Sequence, residues 1–246
     1  MKSKLALSVI FTLINGTIFG TATTHIWAPS TDVQPFMKFH ITSDIYIPIE
    51  KTNIGVRFPP VTNIGLTVGV LPFKNINMEV GLDHKAGLWI FDDYPLYFNT
   101  KLGTPEDGLF KYMPALAAGI YDVGTKSEAT DFNMIYGKIA KSFVVGKFPI
   151  GRFSAGYFSG NKALLRAIDG SEDNKGFLFD WERTMAEISD KLWICVEYMG
   201  SKSVYGSLNI GASWKFADNV GVLAGYDIYN EPAFPGTATL QVDIDF

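Results

Sequence analysis

The sequence predicts an all-β chain, a single antiparallel up-and-down transmembrane β-barrel of about twelve strands. Three observations predict it. Segments with apolar residues on a period of two recur along the chain, separated by Gly, Pro, Asn and Asp. Their connections alternate between short and long. The aromatic residues on the apolar faces sort toward the two strand ends, as tyrosine and tryptophan do at membrane interfaces.

Composition sets the frame. Hydrophobic residues make up 47% of the 246-residue chain, charged residues 19% and aromatics 14%. The net charge is −4 and no basic cluster appears, which excludes the electrostatic footprint of a nucleic-acid binder. Cys195 is the only cysteine, so an intramolecular disulfide and a multi-cysteine metal site are both excluded. GxGxxG, P-loop, CxxC and HExxH patterns are absent, and no cofactor or metal is expected.

The N-terminus reads as a secretory signal peptide over residues 1–22. Lys2 and Lys4 precede an apolar run from Leu5 to Phe19, and Gly20-Thr21-Ala22 supplies the small residues for cleavage. Asn15 and Gly16 interrupt the run, which is too short to cross a bilayer as a helix. Residues 23–246 are then the barrel. His25 falls in an N-terminal segment expected to be mobile.

The strand candidates follow in order. MKFHITSDIYI sets Met37, Phe39, Ile41, Ile45 and Ile47 against Lys38, His40, Thr42 and Asp44. NIGLTVGV and INMEVGLD continue the alternation, the second with Glu79 and Asp83 on its polar face. LYFNTKL opposes Leu96, Phe98 and Leu102 to Tyr97, Asn99 and Lys101. PALAAGIYDV and NMIYGKIAKSF read as strands whose faces stay open, because small residues dilute the pattern. RFSAGYFSG and FLFDWER come next, with Asp180 and Glu182 opposite Phe177, Phe179 and Trp181. LWICVEYM puts Glu197 opposite Leu192, Ile194, Val196 and Tyr198, which leaves Cys195 a buried small residue. GSLNIGASWKF carries Lys215 inward, VGVLAGYDI carries Asp227, and ATLQVDIDF carries Asp243 and Asp245. TMAEISDKL, between two of these strands, is the best candidate for a short helix.

Under the topology of a barrel whose N-terminus is periplasmic, connections 71–75, 145–151 and 217–219 are short periplasmic turns. Connections 48–60, 84–94 and 161–175 are longer external loops. PEDGLFKYMP (105–114) is long for a turn and is a candidate docking element. Tyr157, Tyr198 and Tyr226 fall toward external strand ends; Phe153, Trp181, Trp214, Phe216 and Phe246 fall toward periplasmic ones.

The last segment carries a resemblance. Leu240, Val242, Ile244 and Phe246 alternate up to an aromatic residue, and in this the chain resembles Gram-negative outer-membrane β-barrel proteins. The resemblance implies a location in the bacterial outer membrane, outer-membrane lipid as a partner, and reading of these four residues by the barrel-assembly machinery. A weaker likeness runs through DKLWICVEYMG and LNIGASWKFADNVGVLAGY to barrels associated with exopolysaccharide secretion.

Function is read from the inward faces. The expected lumen carries the acids Asp44, Glu79, Asp83, Asp180, Glu182, Glu197, Asp227, Asp243 and Asp245 against Lys38, Lys101 and Lys215, with His40 nearby. A water-filled lumen of that charge favours small polar or cationic solutes, so a porin-like channel for passive diffusion is expected, not an enzyme. Gly65, Gly69, Gly81, Gly211, Gly221 and Gly225 keep the inward faces small, which favours an open lumen. Two alternatives stand beside the channel. The charges could pair and plug a narrow barrel that serves as a structural or export component of the envelope. Less favoured is an outer-membrane hydrolase in which Asp92 or Asp93 reaches His84 across its loop. His40 is expected to meet Asp243 or Asp245 across the closing seam in a structural hydrogen bond.

Overall fold

The computed structural model describes residues 24–52, 55–87 and 89–246, so the expected signal peptide lies outside the described residues. Twelve strands form: β1 (Phe39–Pro48), β2 (Val61–Gly69), β3 (Asn77–Ala86), β4 (Leu96–Thr104), β5 (Ala115–Gly124), β6 (Asp131–Val145), β7 (Phe148–Ser159), β8 (Lys175–Thr184), β9 (Leu192–Met199), β10 (Ser207–Ala217), β11 (Val220–Tyr229) and β12 (Thr237–Asp245). Each pairs antiparallel with its neighbours in sequence, and β1 pairs with β12 to close the barrel. Closure leaves no edge strand, which is how a sheet satisfies its backbone in lipid. The seam is in register from His40↔Asp245 to Pro48↔Thr237. No described helix is long and apolar enough to cross a membrane.

The alternation fixes which side chains face out. Ile64, Leu66, Ile135, Ile139, Phe179, Ile210 and Leu240 are all exposed on the outer wall. A water-soluble protein does not leave such a belt uncovered; lipid covers it. Tyr157, Tyr198 and Tyr226 are exposed on this wall, as are Phe153, Trp214, Phe216 and Phe246. The Trp181 indole is half-buried and donates to the Ile150 carbonyl at 3.0 Å.

One end of the barrel, here the terminal end, holds the start of β1 and the end of β12. The other is the distal end. Turns at the terminal end include the tight β6–β7 and β10–β11 connections, while the distal end carries loops 49–60 and 160–174. Gly146, in the β6–β7 turn, has φ +64°, a conformation that costs a glycine little.

Two sequence expectations are corrected. TMAEISDKL does not make a helix: Ile188 and Ser189 both donate backbone N–H to Met185 in an isolated turn. The described α-helix is instead α1 (Trp89–Asp93), in the β3–β4 loop. Residues 24–36 are not a mobile tail, because they run through the barrel and bury His25, Ile26 and Ala28 almost completely.

The two strands of open face are now assigned. In β6, Met134, Tyr136, Lys138 and Ala140 face inward, and Ile135 and Ile139 face out. In β5, Ala115 and Ala117 face inward until a bulge at Tyr121/Val123, opposite an irregularity at Phe98/Thr100 of β4. Asp122 takes φ 54° there, and the bulge turns it into the lumen.

Candidate functional site: a lumen filled from one end

The inward faces enclose the functional candidate, and residues 24–36 occupy its terminal half. Glu197 is the central anchor. Its carboxylate accepts the consecutive backbone N–H groups of Ile26 (3.1 Å), Trp27 (2.7 Å) and Ala28 (2.9 Å), and the Asn209 amide at 2.6 Å. A buried carboxylate needs such donors, since stripping its water without replacement costs several kcal/mol or more. The segment is held in the same way along its length. Glu79 accepts the Gln34 N–H at 2.7 Å and pairs with Lys101 at 3.1 Å; Lys101 also donates to the Asp32 carbonyl. Lys138 donates to the Pro29 carbonyl at 2.6 Å and pairs with Asp180. Arg152 grips the Asp32 carboxylate, Nη1 lying 2.9 Å from both oxygens, and its Nη2 reaches Thr31 Oγ1 at 2.5 Å. The Gln241 amide donates to the Ile26 carbonyl at 2.8 Å.

His25 sits between β8 carboxylates, 3.1 Å from Glu182 and 3.5 Å from Asp180. Burial lowers its pKa and the Lys138 charge does the same. The Glu182 charge and the hydrogen bonds to Asp180 and Glu182 outweigh both and raise it to about 9. Trp193 completes the pocket, donating to Glu182 at 3.0 Å. His25, Cys195 and Glu197 bring one donor atom each within 4.8 Å of one another. The Glu197 carboxylate is already committed to four N–H groups, so this trio reads as packing around the segment.

Of the glycines that were expected to keep the lumen clear, Gly69, Gly211 and Gly225 instead admit the segment, while Gly65, Gly81 and Gly221 face wall side chains. A Cβ at Gly69 would lie 2.0 Å from the Pro35 carbonyl oxygen, and one at Gly211 would lie 2.9 Å from Ile26 Cδ1. Small inward faces are where the backbone of residues 24–36 makes its close approach.

The expected inward residues fall into three groups. Glu79, Lys101, Asp180, Glu182 and Glu197 hold the segment. Asp44 and Asp83 line the distal half, joined through the Asn63 amide at 3.1 and 3.4 Å, and Asp227 is fully buried in the wall. The remainder lie toward the terminal rim. His40 meets Asp245 at 3.0 Å and Asp243 at 3.2 Å, the seam contact expected from sequence. Lys215 pairs with Asp218 at 3.2 Å. Lys38 is corrected: it precedes β1, just after Met37 turns the chain at φ 59°, and is exposed.

Four charged groups of the lumen escaped the sequence reading. Arg152 was implied by its outward neighbour Phe153. Lys138 lay in a strand whose small residues hid the alternation. Lys85 lies beyond the end assigned to its strand, and Asp122 is turned inward by a bulge that no pattern announces. The last two pair at 2.5 Å.

His84 does not meet its loop acids. It is exposed on the outer side of β3 with Val80 and Leu82, and Asp92 instead accepts the Gly87 N–H at 2.9 Å. In the long 105–114 connection, Glu106 turns toward the barrel and binds Ser142 N–H at 2.9 Å, leaving Leu109, Phe110 and Tyr112 exposed.

No family model matches the chain, and no curated protein matches it in sequence. Among solved structures the chain is similar to an outer membrane channel from Pseudomonas putida F1, with 10% identity, 87% of this chain and 97% of that one covered, and a TM-score of 0.47. It is similar also to the KdgM porin, at 10% identity over 84% of this chain and 99% of that one, with a TM-score of 0.47. A third is OmpF of Salmonella typhi, at 8% identity over 85% and 97%, with a TM-score of 0.43. The architecture is that of a transmembrane β-barrel. The closed strand circuit and the apolar exterior establish this for the chain itself.

Proposed function

We propose that the protein is a porin-like channel of the bacterial outer membrane whose passage is occupied by its own residues 24–36. Small polar or cationic solutes cross when that segment yields. One observation carries the reading: Glu197 holds three consecutive backbone N–H groups of a segment that belongs to no strand. A structural barrel can fill its lumen with side chains from its own strands. Here a separate stretch of chain is held largely by hydrogen bonds and ion pairs, which can be exchanged for water, while Ile26 and Ala28 add small apolar contacts.

Residues 1–22 are the signal peptide in this reading, 23–246 the mature chain, and Leu240, Val242, Ile244 and Phe246 the signal to the barrel-assembly machinery. No cofactor enters, and the acids of the lumen set the preference for cations.

The test is conductance of the refolded protein in a planar bilayer under a salt gradient, for the wild type and for Glu197→Ala. The wild type is expected to open rarely. The variant is expected to open persistently, with a reversal potential biased to cations. An inserted Glu197→Ala barrel, folded by its gel migration yet electrically silent, would discard the channel in favour of a closed envelope component.

A further inference from the structure

Beyond the segment, the distal half of the barrel is not filled. It opens a cavity of about 490 Å³, in the range that takes a small organic ligand, which reaches along β1–β4 as far as His40, Glu79 and Lys101. The segment supplies its floor through Trp27. The Trp27 ring packs against Tyr46 at 5.7 Å, Tyr229 at 5.9 Å and Tyr205 at 6.2 Å between centroids. Tyr121 joins the cluster at 5.8 Å from Tyr205. All five rings line the cavity.

Two carboxylates on the same wall make no ion pair of their own, the charge of Lys85 reaching Asp83 only from the pair that it forms with Asp122. Glu79 has Lys101 and Asp122 has Lys85, but among the described residues neither Asp44 nor Asp83 forms an ion pair. Their partners are neutral. Asp44 accepts from Thr42 and Asn63, and Asp83 accepts from Asn63 and, at 2.6 Å, from Asn99. Lys85 is two residues along the same face from Asp83 and is committed to Asp122. A third observation points into the same space: Asn99 lines the cavity and is only 8% exposed, yet its side-chain oxygen has no hydrogen-bond partner.

We propose that this cavity is a binding site for a small organic ammonium ion with an aromatic or aliphatic body. The ammonium has N–H donors for Asp44, Asp83 and the free Asn99 oxygen, and its charge balances two carboxylates that only Lys85 answers, from beyond ion-pair distance. Aromatic faces attract a cation and shelter the carbon body that carries it. A neutral sugar would use the rings and leave the carboxylate charge unanswered. The site does not depend on conduction, because it is built with residues 24–36 in place as its floor.

Isothermal titration of the refolded full chain in detergent tests it with three probes: phenethylammonium, 2-phenylethanol of similar shape without the charge, and maltotriose. The ammonium is expected to bind at least about tenfold tighter than the alcohol, a difference of about 1.4 kcal/mol. The double variant Asp44→Asn/Asp83→Asn should erase that preference while keeping the alcohol's affinity, which also reports an intact cavity. The single variant Asp83→Asn should reduce it part-way and guards against misfolding of the double. Equal affinity of ammonium and alcohol, a preference untouched by both variants, binding of maltotriose alone, or no binding at all would each overturn the proposal.

Discussion

The two halves of the lumen are lined by the same strands and read from the same alternation, yet they are built on opposite terms. In the terminal half Glu79, Asp180, Glu182 and Glu197 are deeply buried, and each faces a cation or a row of backbone N–H groups. In the distal half the walls are rings, and Asp44 and Asp83 lean on amides and a hydroxyl. What differs is residues 24–36, a stretch outside the barrel strands. Excess acid along a set of strands is therefore not a property of a pore by itself. It is shared between a half already answered by the chain and a half left for something else.

The largest effect expected from this contrast lies in the buried pairs. Lys101→Met strands Glu79 without its cation and should cost about 3–5 kcal/mol of stability. Lys85→Met, at a side chain 19% exposed whose partner Asp122 keeps the Tyr205 hydroxyl as a donor, should cost clearly less. Urea midpoints of the refolded barrels in lipid measure both, and equal losses would erase the distinction between the halves.

A smaller effect is expected from pH. His25 titrates near 9 when seated and near 6.5 when free, so its contribution to holding the segment is complete below about 6.5 and is lost as pH rises through 9. The groups facing it are Asp180 and Glu182 from β8, Lys138 from β6, and Cys195 and Glu197 from β9. Protease cleavage within 24–36 should accelerate from pH 7 to 9.5, and His25→Gln should flatten that rise. A wild-type profile as flat as the variant's would remove His25 from the anchoring.

The smallest is Tyr205→Phe. It deletes the hydroxyl that donates to Asp122, which keeps Lys85, and should cost about 1 kcal/mol with the aromatic cluster unchanged. A loss several times larger would mean that the distal half is as tightly coupled as the terminal one.

The strands were legible because a period of two survives any context that keeps one face in lipid. Twelve segments were expected and twelve formed, including the seam contact of His40 with Asp243 and Asp245. Legibility failed where the signal was not periodic. Asp122 faces inward through a bulge, Lys138 sits among small residues, and Lys38 belongs to a turn and not to the strand that follows it. Gly69, Gly211 and Gly225 misled for a related reason: a missing side chain records that something comes close, not whether that something is water or chain.

By itself the sequence determined the barrel, its circuit of strands and the acidity of its inner wall, since alternation is local and each strand repeats it. Only the tertiary structure decided what that acidity does. The bond from Glu197 to the backbone of residues 26–28 spans about 170 positions, and backbone N–H groups look the same in every sequence. The side chains that seat the segment, His25 on Glu182 and Asp32 on Arg152 among them, likewise meet partners more than a hundred positions away and follow no period, so the filled half of the lumen could be found only by folding it.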